Sequence, residues 1–457
     1  MKLRNILLGT TLLGGIVLQS CRDDFDYDPI STGISFNRDT LSVDTVFNHR
    51  KSETYVLKIY NNDKDNKVIP KIYLNKGNNS YFQINVDGRA GKDFENVAIR
   101  GRDSIFVFVE IHAKDAPNNP LYDDELVVET TSEKKQVKLL SWIENANFLQ
   151  DQTIGSTSWD ANTSQVISGN VVVQQSLNIS AGSKVYFEKD AKLTINDDAQ
   201  FTVEGNVNNY VKFRSARHDS RYDSLPNQWN KIELKPRSTS IINYAKIIGG
   251  QIGLEVNQAN LDIRNSYIVN HQNFGILANN AEILGVNLLL NNANSAALAL
   301  TNGGKYAFYH STFANYFSMI GTAGPAYSLY LSNTDLDEQQ SNPLTQAIFA
   351  NSIFYSDRSA NAIAFHKNNS VAFNYLFDTN LLKNLDTSTL DMTSTPGFSA
   401  SIIGDPLFIN PFYTGNNLRL KEDSPAIGKG KSSYATQYPL DMYGMNRTVS
   451  PNLGAIQ

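Results

Sequence analysis

The 457-residue chain has a single cysteine, six histidines and three tryptophans, with no run of basic residues and no long uninterrupted apolar stretch. One cysteine excludes an intramolecular disulfide and a thiolate-rich zinc site. The histidines, His49, His112, His218, His271, His310 and His366, show no ligand spacing, so no metal centre is expected from them. A formal charge of −5 without a basic cluster argues against nucleic acid as a partner and against electrostatic docking on anionic lipid. Gly-x-Ser-x-Gly, phosphate-loop and dinucleotide fingerprints are absent, which removes the commonest hydrolase and nucleotide chemistries that motifs can reveal. No cofactor is expected. What the chain does have is aromatic weight, 22 Tyr and 23 Phe, and a strong tendency to alternate.

The one cysteine stands in the stretch VLQSCRDDFD, residues 17–26. Upstream, Lys2 and Arg4 precede an apolar run from Ile6 to Leu18. A basic start, a short apolar core and a small residue before the break describe a secretory signal peptide over residues 1–20. The run is too short to span a bilayer, which takes roughly 20 residues. Leu18-Gln19-Ser20-Cys21 resembles the bacterial lipobox. That resemblance implies that Cys21 is acylated and becomes the mature N-terminus, a lipid anchor worth roughly 0.8 kcal/mol per buried methylene. Losing residues 1–20 removes two bases and no acid, which shifts the net charge from −5 to −7. Residues 21–30, acidic and unpatterned, read as a tether.

From residue 31 to 147 the apolar pattern has period two, as in Tyr55–Tyr60, Tyr81–Val86, Ile105–Ile111 and Leu126–Thr130, with turn-formers between. Short alternating strands at this spacing predict an immunoglobulin-like β-sandwich. Residues 148–163 lack a pattern and read as a linker. Beyond them the chain repeats. Ile232, Leu254, Ile276 and Leu298 recur every 22 residues, and Leu234, Val256, Ala278 and Leu300 form a second column. A further set runs Ile242, Ile263, Leu284, Phe308, Phe349; Ala245, Ser266, Asn287, Ser311, Ser352; and Ile247, Ile268, Leu289, Phe313, Phe354. The last step, of 41 residues, is nearly two periods and predicts an inserted loop or irregular coil over residues 323–343. Asn270, Asn291 and Asn315 follow their columns by two residues, where asparagine suits a left-handed corner and a stacked amide. A period of 21 to 24 residues with strand-like columns predicts a parallel β-solenoid over residues 164–400, about 4.8 Å per coil. The fold class is therefore all-β: a sandwich, then a right-handed parallel β-helix of the pectate-lyase-like type. Residues 401–457 would cap it.

Two stretches carry a family resemblance. Asp405-Pro-Leu-Phe408, Ser424-Pro-Ala-Ile-Gly428, Asp441-Met-Tyr-Gly444-Met-Asn-Arg447 and Leu453-Gly-Ala-Ile456 resemble the C-terminal segment of secreted bacterial right-handed β-helix proteins. Pro226-Asn-Gln-Trp229 is similar to the P-G-Q-W turn of β-helix lipoproteins from Bacteroidota, with Asn227 in the place of glycine. Asparagine still tolerates positive φ there. Cys21-Arg-Asp-Asp resembles the acidic signal that directs lipoproteins of that phylum to the outer face of the outer membrane. The resemblance implies an anchored, outward-facing surface lipoprotein and assigns it no enzymatic role.

Two groups of residues are candidates for chemistry. Glu233 and Glu255, 22 apart, should point outward from adjacent coils about 5 Å apart. Lys231 and Lys235 flank the first, with Asp262 and Arg264 shortly after the second. Stacked like charges raise a carboxyl pKa or recruit a cation. The plainer reading is a solvated charge ladder neutralised by its own lysines. The second group is the extruded loop 215–227, with Arg217, His218, Asp219, Arg221, Tyr222 and Asp223, where a histidine–acid pair and a sugar-stacking tyrosine are conceivable. The catalytic candidates are thus Glu233, Glu255, His218 and Asp219, and the ligand-binding candidates Arg217, Arg221, Tyr222, Lys231 and Arg264. The expectation is a non-catalytic surface protein binding a polysaccharide or a surface protein. The alternative is a polysaccharide lyase or glycoside hydrolase in the β-helix groove, with Ca²⁺ needed only for the lyase.

Overall fold

The computed structural model describes residues 27–115, 119–319, 324–384 and 397–457. Cys21, the signal peptide and most of the acidic tether lie outside the described residues. The chain divides into two compact units after Ile143.

In the first unit, period-two strands form two sheets over one core. One sheet runs Ile34–Phe36, Tyr55–Asn61, Ser104–Ile111, Phe82–Val86 and Arg89–Gly91. The other is centred on Lys67–Leu74 and Leu121–Glu129, with Lys134–Glu144 beyond. Alternation decides the faces: Leu57, Ile59, Val107, Val109, Leu126 and Val128 are buried in a shared cluster. The expected tether reaches less far than residue 30. Asp28–Pro29 pairs in parallel with Lys67 and Val68, and apolar Ile30 is buried with the core.

The second unit is a solenoid of three parallel faces, in which each strand pairs with the strand one coil further on. On the first face Ile232, Leu254, Ile276, Leu298 and Leu329 are stacked in register, and Leu234, Val256, Ala278, Leu300 and Leu331 beside them, as the 22-residue repeat predicts. On the second and third faces the predicted columns slip by one residue midway. Ile263 stacks on Gly285 rather than Leu284, and Ile268 on Leu290 rather than Leu289. A one-residue shift moves a side chain to the opposite side of its strand, so Leu284 and Leu289 point outward. Gly285 holds its inward place because the Phe308 ring fills the space above it; a Cβ there would lie 2.4 Å from Phe308 Cδ1. The column then continues as a stack of rings. Phe308–Phe349, Phe349–Phe377 and Phe377–Phe398 have centroids 5.5, 4.7 and 4.8 Å apart and nearly parallel planes.

Two further expectations are corrected and a third is refined. The predicted linker contains strands: Ala146–Ile154 pairs with Ser164–Val173, and Thr157–Trp159 with Ser176–Ser180, as the first coil. A terminal coil has a neighbour on one side only, and it tolerates the polar run Gln150-Asp151-Gln152. The 41-residue step is one coil with two insertions, since Tyr327–Ser332 stacks on the first face between them. The tail lies along the outer side of the third face rather than over an end. Met442, Leu453, Ala455 and Ile456 pack there against Val269, Leu289 and Ile353. Arg447, fully buried, donates to the carbonyls of Gly454 and Ala455 and to Asn287 Oδ1. That last bond closes an amide ladder in which Asn287 donates to Asn265 and Asn265 to Asn243. The other ladder follows the slip: Asn292, not Asn291, donates to Asn270, both with φ near +60°.

Candidate ligand-binding site

Glu233 and Glu255 are direct neighbours across the first-face ladder, as their spacing requires. Glu233 is buried to 5 % exposure. One of its oxygens lies 2.9 Å from Lys235 Nζ and the other 3.4 Å from Lys192 Nζ, while Glu255 is paired with Lys231. Burial pushes the Glu233 carboxyl up, but Lys235, Lys231 and Lys192 outweigh it and hold the carboxyl below its ordinary value. This is opposite to the rise that stacked acids would produce. The lysines intervene before the two acids act on each other. Among the described residues no group of three or more His, Cys, Asp or Glu comes together. Asp262 and Arg264 sit on the second face, away from Glu233, in a two-bond pair of 2.7 and 2.8 Å.

The loop residues are occupied with one another. Asp219 accepts from the Arg221 N–H at 2.9 Å and pairs with its guanidinium at 2.7 Å, opening the short helical turn Ser220–Ser224. Arg217 and Arg221 lie over the Tyr222 ring at 4.6 and 5.5 Å, so that ring is already covered by cations. Asp223 pairs with Arg214 at 2.8 Å, although burial raises its pKa. His218 has Nδ1 4.0 Å from Glu144 and its ring 5.3 Å from that of Tyr186. Glu144, at the start of the first coil, also accepts from Tyr186 at 3.0 Å and from Lys184 at 3.0 Å. Burial raises the Glu144 carboxyl, but its bonds from Ser164 and Lys184 leave it below the ordinary value. Sequence reading missed Glu144 because it stands in what looked like the end of the sandwich. After the loop, Asn227 takes φ +59° as the turn predicts. Trp229 enters the core, stacked on Phe187 at 4.3 Å, and its Nε1 donates to the Ile248 carbonyl.

Two concavities lie elsewhere. Along the second face runs a shallow groove of about 620 Å³, lined by Ile241, Asp262, Leu284, Glu282, Lys305 and Gln346. Its charges are paired: Glu282 with Lys305 at 2.6 Å, and Asp262 with Arg264. Ile241, 52 % exposed, gives it an apolar edge.

The other concavity, of about 510 Å³, lies on the third face, between the turn Ser220–Ser224, the tail residues 413–419 and Tyr443. Asn270 fastens two of these walls, donating to the Asp223 and Tyr413 carbonyls at 2.8 and 3.1 Å. The Tyr267 and Tyr443 hydroxyls are bonded to each other. Lys246 Nζ lies 4.7 Å over the Tyr210 ring and 5.1 Å over the Tyr267 ring, and burial together with Lys212 lowers its pKa. Arg419 covers the Tyr443 ring at 4.4 Å. The signal for Lys246 was present in the sequence: it precedes inward Ile247, so it faces outward in one row with Lys184 and Lys212. Nothing in the sequence joined it to Arg419, 173 residues away.

No family profile matches the chain, and no curated protein matches it. A solved structure of a protein of unknown function from Porphyromonas gingivalis is similar at 12 % identity and a TM-score of 0.19 over 27 % of this chain. The chain spans 60 % of the length of that protein. No described helix is long and apolar enough to cross a membrane.

Proposed function

We propose that the protein is a lipoprotein of the bacterial outer membrane, anchored through Cys21 and facing the exterior, which binds glycan along its solenoid without cleaving it. In this reading the sandwich is an immunoglobulin-like spacer and the solenoid winds right-handed, the hand that parallel crossovers take almost without exception. The observation that supports a non-catalytic role is the state of the acids. Glu233 and Glu255 are each held by lysines on an outward ladder, and His218 and Asp219 face different partners. Glycoside hydrolysis needs two carboxyls facing one bond about 5 to 10 Å apart, one of them held protonated; Glu233 is instead held ionised. The second-face groove, lined from five successive coils with an apolar edge beside polar groups, suits an extended sugar chain.

The test is a glycan array probed with the full chain in detergent, beside a depolymerisation assay on neutral and acidic polysaccharides. Binding without chain shortening is expected. Cleavage that disappears in a Glu233→Gln, Glu255→Gln double variant overturns the reading in favour of a lyase or hydrolase. Cys21→Ser should move the protein out of the membrane fraction; retention there refutes the anchor.

A further inference from the structure

We infer that the third-face pocket between Lys246 and Arg419 is a binding site for the acidic group, carboxylate or sulfate, of a charged sugar residue. The sugar part of this assignment rests on the glycan-binding reading above; the anionic part rests on the pocket alone.

Many cations on the described surface of the solenoid are matched, as with Lys231, Lys235, Arg237, Arg264 and Lys305. Lys246 and Arg419 are not, and they stand in a concave place. No carboxylate of the described residues lies within ion-pair distance of either, and both line the same cavity. The acid on its wall, Asp223, is already paired with Arg214. Lys246 is also half buried and repelled by Lys212. A charge partly out of water without a counter-charge is unfavourable in the free protein, so an anion that enters recovers the loss.

The rest of the pocket suits a sugar. Its volume is in the range of small-molecule sites, roughly 300 to 1,000 Å³. Ser220, Thr414 and Asn417 bring hydroxyl and amide groups to its walls. Arg419 carries a planar donor fork matched to a carboxylate or sulfate edge, and Lys246 adds a compact point charge. Tyrosine rings, rather than an internal acid, flank both cations.

Isothermal titration of the full chain in detergent tests this, with tetragalacturonate, a sulfated galactose tetramer and the uncharged galactose tetramer as probes. At least one charged tetramer should bind tenfold or more tightly than the uncharged one; which of them does so identifies the acidic group. Lys246→Met and Arg419→Gln should each weaken that binding at least tenfold and leave binding of the uncharged tetramer unchanged. Lys246→Arg should stay within threefold. Equal binding of charged and uncharged tetramers, or undiminished binding in both variants, overturns the inference while the glycan-binding reading survives. Absence of binding by every sugar on the array and by all three tetramers defeats both. Arg419 is exposed, so Arg419→Gln keeps the test decisive even if Lys246→Met unfolds.

Discussion

The first face and the third face of the solenoid both carry charge, in opposite conditions. Glu233 is answered by Lys235 and Lys192, and Glu255 by Lys231. Lys246 and Arg419 are left open, with tyrosine rings where acids would stand. The lesson is that a cluster of ionisable residues does not mark a site. A missing counter-charge in a concave place marks it better, because an anion that enters recovers the desolvation cost of the cation.

The contrast can be broken at several strengths. Arg447 is the extreme of a buried charge, held by carbonyls and an amide rather than by an acid. Burial pulls its guanidinium below the ordinary range, to about 10, yet carbonyls and Asn287 surround it. Arg447→Met should cost about 3 to 5 kcal/mol in chemical denaturation and loosen the tail, since it strands buried acceptors. A loss below about 1 kcal/mol would mean that the tail is held elsewhere.

His271 shows the same economy with a group kept neutral. Burial lowers its pKa from 6.5 to about 4. The unfolded chain therefore binds a proton that the native state refuses, and stability falls as pH drops from 6.5 to 4, by about 3 kcal/mol. His310, pulled by burial to about 3, acts in the same direction. Denaturation midpoints that stay flat between pH 6.5 and 4.5 would contradict both.

Glu233 is a smaller case. Its folded pKa is lowered, so its contribution is present above about 4.5 and disappears as pH falls through the folded value. Glu233→Gln should cost about 1 kcal/mol at pH 7 and nothing once the carboxyl is protonated. The smallest effect is the most telling. Without ligand, Lys246→Met should leave stability unchanged or raise it by about 0.5 kcal/mol, since a half-buried cation without a counter-charge is removed. A clear loss of melting temperature would make Lys246 a structural residue.

The architecture was legible where chemistry left one choice. Ile232, Leu254, Ile276 and Leu298 sit among polar neighbours, so their column can be read directly. At Leu288-Leu289-Leu290 three apolar residues in a row offer two registers, and only the packing of Phe313 on Leu290 decides between them. Gly285 was invisible as an inward residue because its place is filled by the ring of Phe308, one coil on. The first coil was hidden by polar residues that a terminal rung can carry. The candidate site was least legible of all. Glu233 and Glu255 were found because they share a strand ladder, whereas the walls of the third-face pocket come from stretches that no local pattern connects.

That last fact makes the pocket a long-range construction. Its lining joins Ser220 to Ile456, so it is complete only while residues 413–456 lie over the third face. Loosening that segment, as Arg447→Met is expected to do, should weaken anion binding before the coils themselves unfold.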